Sequence, residues 1–272
     1  NALVKSTGSY WFAYFDGDSS SDGDWSSAVE NCFVRNVRIG DANDANNLLK
    51  AVRFGWAKNC GIENVVKQGQ TGTAFNLQFA RRCHIRSCWN LGANTSDGKI
   101  GFLVHLTDDC MVDDCHIADG AFLYGFQVKG GNDCVVRSCS ATNIVDAGSV
   151  TVAHIFRNRG DAPWSASATG GTYPFSTLGW ASADPRRASI STKFVDCAVR
   201  ECDGVAFYAQ EARGCTWVNP RVQNCAAGIG ITRVDDADSD ERDFVIINPQ
   251  IETTTTSRGI QLDGQTAYHL KN

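Results

Sequence analysis

The segments CHIRSC at residues 83–88, CMVDDC at 110–115 and CVVRSC at 134–139 share one pattern. In each, a cysteine is followed two places on by an apolar residue, four places on by Ser or Asp, and five places on by a second cysteine. Looser copies are CFVRNV from Cys32, CGIENV from Cys60, TKFVDC from Thr192, CTWVNP from Cys215 and FVIINP from Phe244. The copies recur about every 25 residues, with one interval of roughly double length before Thr192. A repeat of this length indicates a solenoid in which each copy forms one structural unit.

A second pattern precedes several of these copies, in which a small residue is followed by alternating apolar positions. It reads AFNLQF from Ala74, GFLVHL from Gly101, GFQVKG from Gly125, GVAFYA from Gly204, GIGITR from Gly228 and GIQLDG from Gly259. Each period therefore contains an alternating strand, a turn, a cysteine-containing strand, a sharp Asn, Ser or Asp turn and a short third strand. We predict an all-β protein, a right-handed parallel β-helix of about nine coils. Residues 1–31 would form an N-terminal cap strand and loop, and residues 32–272 the β-helix, with a long corner insertion at 157–190.

The twelve cysteines fall into columns of this repeat. Stacked residues of neighbouring coils lie about 4.8 Å apart, which favours packing as small buried apolar residues. Stacked neighbours are also close enough to form a disulfide. The Cys-x4-Cys spacing differs from that of zinc sites, so we expect no metal and no cofactor. Free buried thiols favour synthesis in a reducing cytoplasm.

Composition and charge exclude several classes of partner. The 272 residues are 43% hydrophobic and 20% charged, which is typical of a globular protein. The net charge is −5 and basic residues form no cluster in the sequence, so we expect no nucleic-acid partner. No run of about 18 apolar residues is present, so we expect no membrane partner. The chain begins at Asn1, which leads us to expect a processed protein or part of a longer one.

The coil pattern, with its Asn-type corner, resembles the pectate-lyase-like superfamily of right-handed β-helices. The thiol-rich columns and the lack of a signal peptide are most similar to the β-helix domain of a phage tailspike. The resemblance is one of architecture and carries no catalytic signature. It implies a bacterial surface polysaccharide as ligand, assembly as a homotrimer, and a place in a virion tail or outside the cell. The function expected is polysaccharide cleavage by a depolymerase; the alternative is a non-catalytic carbohydrate-binding or structural shaft.

Strand alternation limits which residues could contact such a ligand, because inward side chains form the core. On the first strand, the alternation places Val205 inward and Ala206 outward, and it also places a set of polar residues outward. The predicted substrate-binding residues are Asn76, Gln78, Gln127, Arg157, Trp164, Trp180, Arg186 and Arg187. Amides bond sugar hydroxyls, aromatic rings stack on pyranoses, and arginines hold acidic substituents.

The predicted catalytic residues are His105, Lys129, His154, Tyr208 and Glu211. A polysaccharide lyase needs a base and a cation that neutralises a uronate carboxylate, and His105, Lys129, His154, Tyr208 and Arg157 supply those groups. A glycoside hydrolase needs two carboxylates around the glycosidic bond. Candidates for these are Asp146, Asp203, Glu211 and Asp263. The sequence leaves both mechanisms open.

Overall fold

The computed structural model describes residues 3–4, 11–17, 27–40, 50–69, 73–92, 100–145, 154–159, 189–210, 212–232, 243–253, 259–263 and 268–271. The strands in chain order are β1 (Leu3–Val4), β2 (Trp11–Asp16), β3 (Val29–Glu30), β4 (Phe33–Ile39), β5 (Lys50–Lys58), β6 (Gly61–Gln68), β7 (Phe75–Arg81), β8 (His84–Arg86), β9 (Trp89–Leu91), β10 (Ile100–His105), β11 (Met111–Asp113), β12 (His116–Ala121), β13 (Tyr124–Lys129), β14 (Val135–Arg137), β15 (Ser140–Val145), β16 (His154–Arg159), β17 (Ser189–Ile190), β18 (Lys193–Val195), β19 (Ala198–Gln210), β20 (Ala212–Arg213), β21 (Thr216–Val218), β22 (Arg221–Thr232), β23 (Phe244–Ile247), β24 (Gln250–Thr253), β25 (Ile260–Asp263) and β26 (Tyr268–Lys271).

Parallel pairing arranges these strands in three long sheets. The first sheet contains β2, β5, β7, β10, β13, β16, the second halves of β19 and β22, and β25. The second sheet contains the start of β4, the start of β6, β8, β11, β14, β18, β21, β23 and β26. The third sheet contains β1, the ends of β4 and β6, β9, β12, β15, the first halves of β19 and β22, and β24. The predicted fold class, a parallel β-helix, is confirmed.

Nine strands are stacked in each of the three sheets, so the strand pairing gives a coil count close to the nine predicted. Residues 5–10, 18–26, 41–49, 70–72, 93–99, 146–153, 160–188, 211, 233–242, 254–258 and 264–267, between strands, lie outside the described ranges. Around the long interval, β16 pairs with both β13 and β19, while β18 pairs with both β14 and β21. The two flanking strands therefore belong to one coil.

The corner between the second and third sheets is built from left-handed residues. All eight polar residues at the fourth position of the cysteine repeat have φ between 49° and 57°: Asn36, Asn64, Ser87, Asp114, Ser138, Asp196, Asn219 and Asn248. Asn and Asp tolerate this conformation better than other residues with a Cβ atom. Their side chains also bond along the stack, since Asn64 Nδ2 donates to Asn36 Oδ1 at 2.8 Å and Asn219 Nδ2 to Asp196 Oδ1 at 2.7 Å.

The core consists of columns of identical or similar side chains. Phe75, Phe102, Phe126, Phe156 and Phe207 stack with successive ring centroids 4.7–4.9 Å apart. All twelve cysteines are free, and all except the half-buried Cys32 are buried. The packing interpretation of the cysteines is thus confirmed. Their sulfurs also accept hydrogen bonds from the coil below, as from the Cys60 backbone N–H to Cys83 Sγ at 3.3 Å.

One predicted orientation is wrong. Ala206 is fully buried and Val205 is half-buried, the reverse of the strict alternation expected. Ala74 and Ile155, which precede Phe75 and Phe156, are also fully buried, so two consecutive residues face the core where the chain bends from the third sheet into the first. The available space is small, since a Cβ on Gly101 would lie 2.6 Å from the carbonyl oxygen of Gly125. This contact explains the small residues that open the first-strand pattern.

Candidate functional site

Two rows of residues on the first sheet, called here the first-sheet face, are in register from strand to strand. The first row is Tyr14, Arg53, Asn76, Leu103, Gln127, Arg157, Tyr208, Gly230 and Gln261. The second row is Asp16, Gly55, Gln78, His105, Lys129, Arg159, Gln210, Thr232 and Asp263. Parallel pairing without a register shift between these strands produces both rows, because it repeats every outward position one coil higher.

Arg157 lies between two tyrosine rings at the centre of this face. Its Cζ is 4.3 Å from the ring centroid of Tyr124 and 5.9 Å from that of Tyr208. Its Nη2 donates a hydrogen bond to Gln210 Oε1 at 3.3 Å. Only 6% of Arg157 is exposed, although it faces away from the core. Rings and amide together hold the guanidinium in one orientation, which suits recognition of a planar acceptor such as a carboxylate.

The Tyr208 ring lies close to the backbone of the next coil. Its register partner there is Gly230, and a Cβ atom at that position would lie 3.2 Å from Tyr208 Cδ2. Glycine therefore makes room for the Tyr208 ring itself. Aromatic rings of this kind stack on the apolar faces of sugars.

His105 and Lys129 are direct register partners on β10 and β13. His105 is 8% exposed, and its ring centroid lies 6.1 Å from that of Phe79, a residue with φ of 51° in β7. A histidine and a lysine are thus adjacent in register on neighbouring coils.

Two amide side chains of the first row are less exposed than side chains on a solvated surface normally are. Asn76 is 5% exposed and Gln127 is 4% exposed. Among the residues that the structure describes, Asn76 Oδ1 has no hydrogen-bond partner. A buried acceptor without a partner is costly, and a ligand hydroxyl that donated to it would remove this cost.

The structure brings together Asn76, Gln78, His105, Gln127, Lys129, Arg157 and Tyr208 on the first-sheet face. His154 begins β16, where its backbone pairs with Tyr124 and Val205. Glu211, Trp164, Trp180, Arg186 and Arg187 lie outside the described residues. Of the carboxylates considered for a hydrolase, Asp203 is exposed, Asp263 ends β25, and Asp146 lies outside the described residues.

Sequence reasoning missed five residues of this face: Tyr14, Arg53, Tyr124, Gln210 and Gly230. Tyr14 and Arg53 lie at its N-terminal end, where Tyr14 Oη donates to Asp16 Oδ2 at 2.6 Å and Arg53 Nη2 lies 3.8 Å from the same oxygen. Arg53 is one repeat before Asn76, so a repeat alignment extended to β5 could have found it. The sequence does not single out Gly230, because the alternation of a strand does not show which outward position must lack a side chain.

The described ranges contain no group of three or more His, Cys, Asp or Glu side chains arranged to hold a metal ion. They also contain no helix long and apolar enough to cross a membrane.

Comparison with protein-family models and with curated proteins found no match. Among solved structures, the chain is similar to two mutant tailspike proteins of E. coli bacteriophage HK620. One, in complex with a pentasaccharide, is 13% identical with a TM-score of 0.40, and the match covers 90% of this chain and 50% of that one. The other, in complex with a hexasaccharide, is 13% identical with a TM-score of 0.32, covering 89% and 61%. This chain therefore spans between half and two thirds of the tailspike chains it matches.

A third similar structure is the A-module of a mannuronan C-5 epimerase of Azotobacter vinelandii. It is 10% identical with a TM-score of 0.30, and the match covers 96% of this chain and 97% of that one. Identities this low concern the fold, which the strand pairing of this chain establishes independently.

Proposed function

We propose that the first-sheet face binds a bacterial surface polysaccharide along the axis of the solenoid and is the place where this polymer is cleaved. The observation that carries the proposal is the pair of in-register rows, with Arg157 held between the rings of Tyr124 and Tyr208. Successive coils present a new polar side chain about every 4.8 Å. A polymer of sugars offers hydroxyls at comparable intervals, so many weak contacts would add along its length.

The side chains of the face match the requirements of sugar binding. Asn76 and Gln127 provide amide donors and acceptors inside an enclosed surface, where a hydrogen bond is stronger than in water. Tyr208 provides a ring face for stacking. Gln210 already holds Arg157, so less side-chain entropy would be lost when a ligand binds.

For cleavage we retain two chemistries. In the lyase, His105 or Tyr208 takes the proton next to a uronate carboxylate, Lys129 or Arg157 neutralises that carboxylate, and elimination breaks the bond to the leaving sugar oxygen. The carbon–carbon double bond then forms as the glycosidic oxygen leaves, and this oxygen takes a proton. In the hydrolase, Glu211 and a second carboxylate act as acid and as base or nucleophile, and water adds across the glycosidic bond. The register of His105 and Lys129 favours the lyase.

The test is incubation with a panel of bacterial capsules and O-antigens. New reducing ends without unsaturation indicate a hydrolase, and ultraviolet absorbance from a new double bond indicates a lyase. Retention without shortening would remove the cleavage half of the proposal and leave a binding module. Failure to retain any polymer would remove the proposal altogether.

Variants locate the site. His105→Ala, Lys129→Ala, Tyr208→Phe and Glu211→Gln should keep the fold, and loss of a positioned acid or base should lower the cleavage rate by about a hundredfold or more. Arg200→Gln, on the third sheet, is the control and should leave the rate unchanged. Full cleavage by all four variants would show that the first-sheet face is not the active site.

Together with this function we propose assembly as a homotrimer and a place in a virion tail. A β-helix has strand edges at its ends, which a neighbouring copy of the chain would cover. Light scattering should give about three times the chain mass of 29.4 kDa. A single-chain mass at micromolar concentration would contradict the trimer.

A further inference from the structure

A serine, a histidine and an aspartate form a chain of hydrogen bonds at the corner between the second and third sheets, away from the first-sheet face. Ser140 Oγ lies 2.7 Å from His116 Nδ1, and His116 Nε2 lies 3.2 Å from Asp114 Oδ1. His116 and Ser140 are register partners at the starts of β12 and β15, so neighbouring coils supply the imidazole and the hydroxyl. Asp114 precedes His116 by two residues and has φ of 51°.

The donors and acceptors of this chain of contacts run in one direction. A carboxylate only accepts, so in the neutral imidazole the nitrogen that faces Asp114 carries the proton. The other nitrogen of His116 then has a lone pair and accepts the hydroxyl proton of Ser140. A hydroxyl bonded to a base that a carboxylate orients is the arrangement of an activated serine nucleophile.

Two further side chains fix the carboxylate and the imidazole. Ser87 Oγ donates to Asp114 Oδ2 at 2.9 Å, so a hydrogen bond forms at each oxygen of the carboxylate. Trp89 is the register partner of His116 on the preceding coil, and the two ring centroids lie 4.2 Å apart. The base is thus held in place before any substrate arrives, which reduces the entropy lost in reaching a reactive geometry.

The nucleophile and the base are accessible from solvent. Ser140 is partly exposed, and 19% of the His116 side chain is exposed. Trp89 is 41% exposed, so it presents part of an aromatic ring beside His116. A flat ring in a ligand would stack on it.

Stabilisation of an oxyanion at Ser140 depends on a side chain. The backbone N–H of Ser140 already donates to the Cys115 carbonyl oxygen at 3.0 Å. Ser138 precedes Ser140 by two residues, as Asp114 precedes His116, and it has the same left-handed corner conformation. Its hydroxyl is therefore placed to donate to a group bound to Ser140 Oγ. One hydroxyl at a solvated surface stabilises an oxyanion less than a buried pair of backbone amides does, so we expect a slow enzyme.

From this geometry we infer that Ser140, His116 and Asp114 form a site of ester hydrolysis separate from the first-sheet face. Its substrate class is a carboxylic ester with a small acyl group and a ring in its alcohol part, either a phenol or a pyranose, that stacks on Trp89. Ser140 and His116 are the catalytic residues, and Asp114 and Ser87 are positioning residues. The inference does not depend on the polysaccharide function proposed above.

The reaction has two balanced steps. His116 Nδ1 takes the hydroxyl proton as Ser140 Oγ bonds to the ester carbonyl carbon. The bond to the alcohol oxygen then breaks, and the alcohol leaves with that proton. A water molecule next gives a proton to the same nitrogen and adds to the acyl-serine. Cleavage of the acyl–serine bond releases the carboxylic acid and returns the proton to Ser140.

The first test is reaction of the full chain with a fluorophosphonate, which forms a bond between phosphorus and an activated serine oxygen and releases fluoride. Mass spectrometry of the intact chain and of its peptides should find the adduct on Ser140. Ser140→Ala should abolish it, and His116→Gln should slow it about a hundredfold or more, the scale of a lost general base. Ser191→Ala removes another partly exposed corner serine and should leave the rate unchanged.

The positioning residues are tested by conservative substitutions. Asp114→Asn keeps a residue type that occurs at four other corners of this column, at Asn36, Asn64, Asn219 and Asn248. It should slow labelling about a hundredfold or more, because an amide that donates to His116 Nε2 favours the wrong tautomer. Ser87→Ala should slow labelling less, and Ser87→Thr should restore it because the hydroxyl returns. Circular dichroism spectra and urea midpoints close to those of the unmodified chain separate these effects from unfolding.

The second test measures acetate release from three esters: p-nitrophenyl acetate, an acetylated methyl glucopyranoside and ethyl acetate. One of the two ring-bearing esters should react faster than ethyl acetate, and the faster one identifies the ring as a phenol or a pyranose. Trp89→Ala should remove this advantage without changing the rate with ethyl acetate. Ser140→Ala should lose acetate release and keep any polysaccharide binding by the first-sheet face.

Several outcomes would overturn the inference. Labelling of Ser140 no faster than that of Ser191, or undiminished labelling in His116→Gln, would show that the three side chains are only a structural hydrogen-bond chain. Acetate release from none of the three esters would exclude ester hydrolysis. Equal rates with ethyl acetate and both ring-bearing esters would contradict the substrate class assigned through Trp89.

Discussion

The outer faces of the first and second sheets use charge in opposite ways. On the second sheet, acidic and basic side chains alternate from coil to coil in one row: Arg35, Glu63, Arg86, Asp113 and Arg137. Glu63 Oε2 lies 2.7 Å from Arg35 Nε, and Asp113 accepts two hydrogen bonds from Arg137 at 2.8 and 2.9 Å. Each charge is neutralised by its neighbour along the stack.

On the first-sheet face, the Arg157 guanidinium instead contacts the tyrosine rings of Tyr124 and Tyr208 and the amide of Gln210. Both faces come from the same coil geometry and the same register rule, so the fold does not require either arrangement. A face with aromatic rings and amides is the one expected to bind the polysaccharide proposed above.

The largest expected effect is on the free energy of unfolding, and it distinguishes core residues from residues of the two outer faces. Phe126→Ala removes a ring from the stacked phenylalanine column and should lower the free energy of unfolding by about 3–5 kcal/mol. Gln127→Ala, its outward neighbour on β13, should cost much less stability while weakening polysaccharide binding. Urea denaturation and affinity electrophoresis of the two variants measure both effects. Equal destabilisation would contradict the inward and outward assignments of β13.

A smaller effect is expected when the Tyr208 ring is displaced. Gly230→Val would place a Cβ atom 3.2 Å from Tyr208 Cδ2, closer than an ordinary contact, so the ring would have to move. Polysaccharide binding should weaken about tenfold, the scale of one lost aromatic stacking contact. Ala198→Val adds similar bulk on the third sheet and serves as the control. Unchanged binding by the Gly230 variant, with an intact circular dichroism spectrum, would exclude Tyr208 as a stacking platform.

The smallest effect concerns the second sheet. Contacts with His84 and then Arg35 hold the pKa of Glu63 below its usual 4.5. The lower folded-state pKa means that Glu63 stabilises the fold fully above about pH 4.5, and that this contribution is lost as the pH falls through the lowered value. Glu63→Gln should therefore lower stability by only about 0.5–1 kcal/mol at pH 7, since exposed ion pairs contribute little.

The same variant sharpens the comparison of the two faces. The difference in denaturation midpoint between Glu63→Gln and the unmodified chain should shrink as the pH is lowered below 4.5. Polysaccharide binding at pH 7 should be unchanged. A large loss of binding would show that the second sheet also contacts the ligand.

The candidate site was only partly predictable from the sequence. Alternation correctly placed Asn76, Gln127 and Tyr208 on the outside of the first sheet, because a strand repeats its side every two residues. It failed at Val205 and Ala206, where the chain bends between sheets. There the two consecutive residues Ala206 and Phe207 are both buried, and Val205 is only half-buried. A period-two rule cannot locate such a bend.

By itself, the sequence determined the β-helix, its columns of cysteines and the sharp Asn, Ser or Asp turns at its corners. These features are local and repeated, so each of eight copies states the same rule, and errors in one copy do not hide it. Only the tertiary structure decided which outward residues meet. Arg157 is 33 residues from Tyr124 and 51 from Tyr208 in the chain, yet both rings flank its guanidinium. Neighbours across coils depend on register and on the lengths of all intervening corners, which differ from coil to coil and carry no shared pattern.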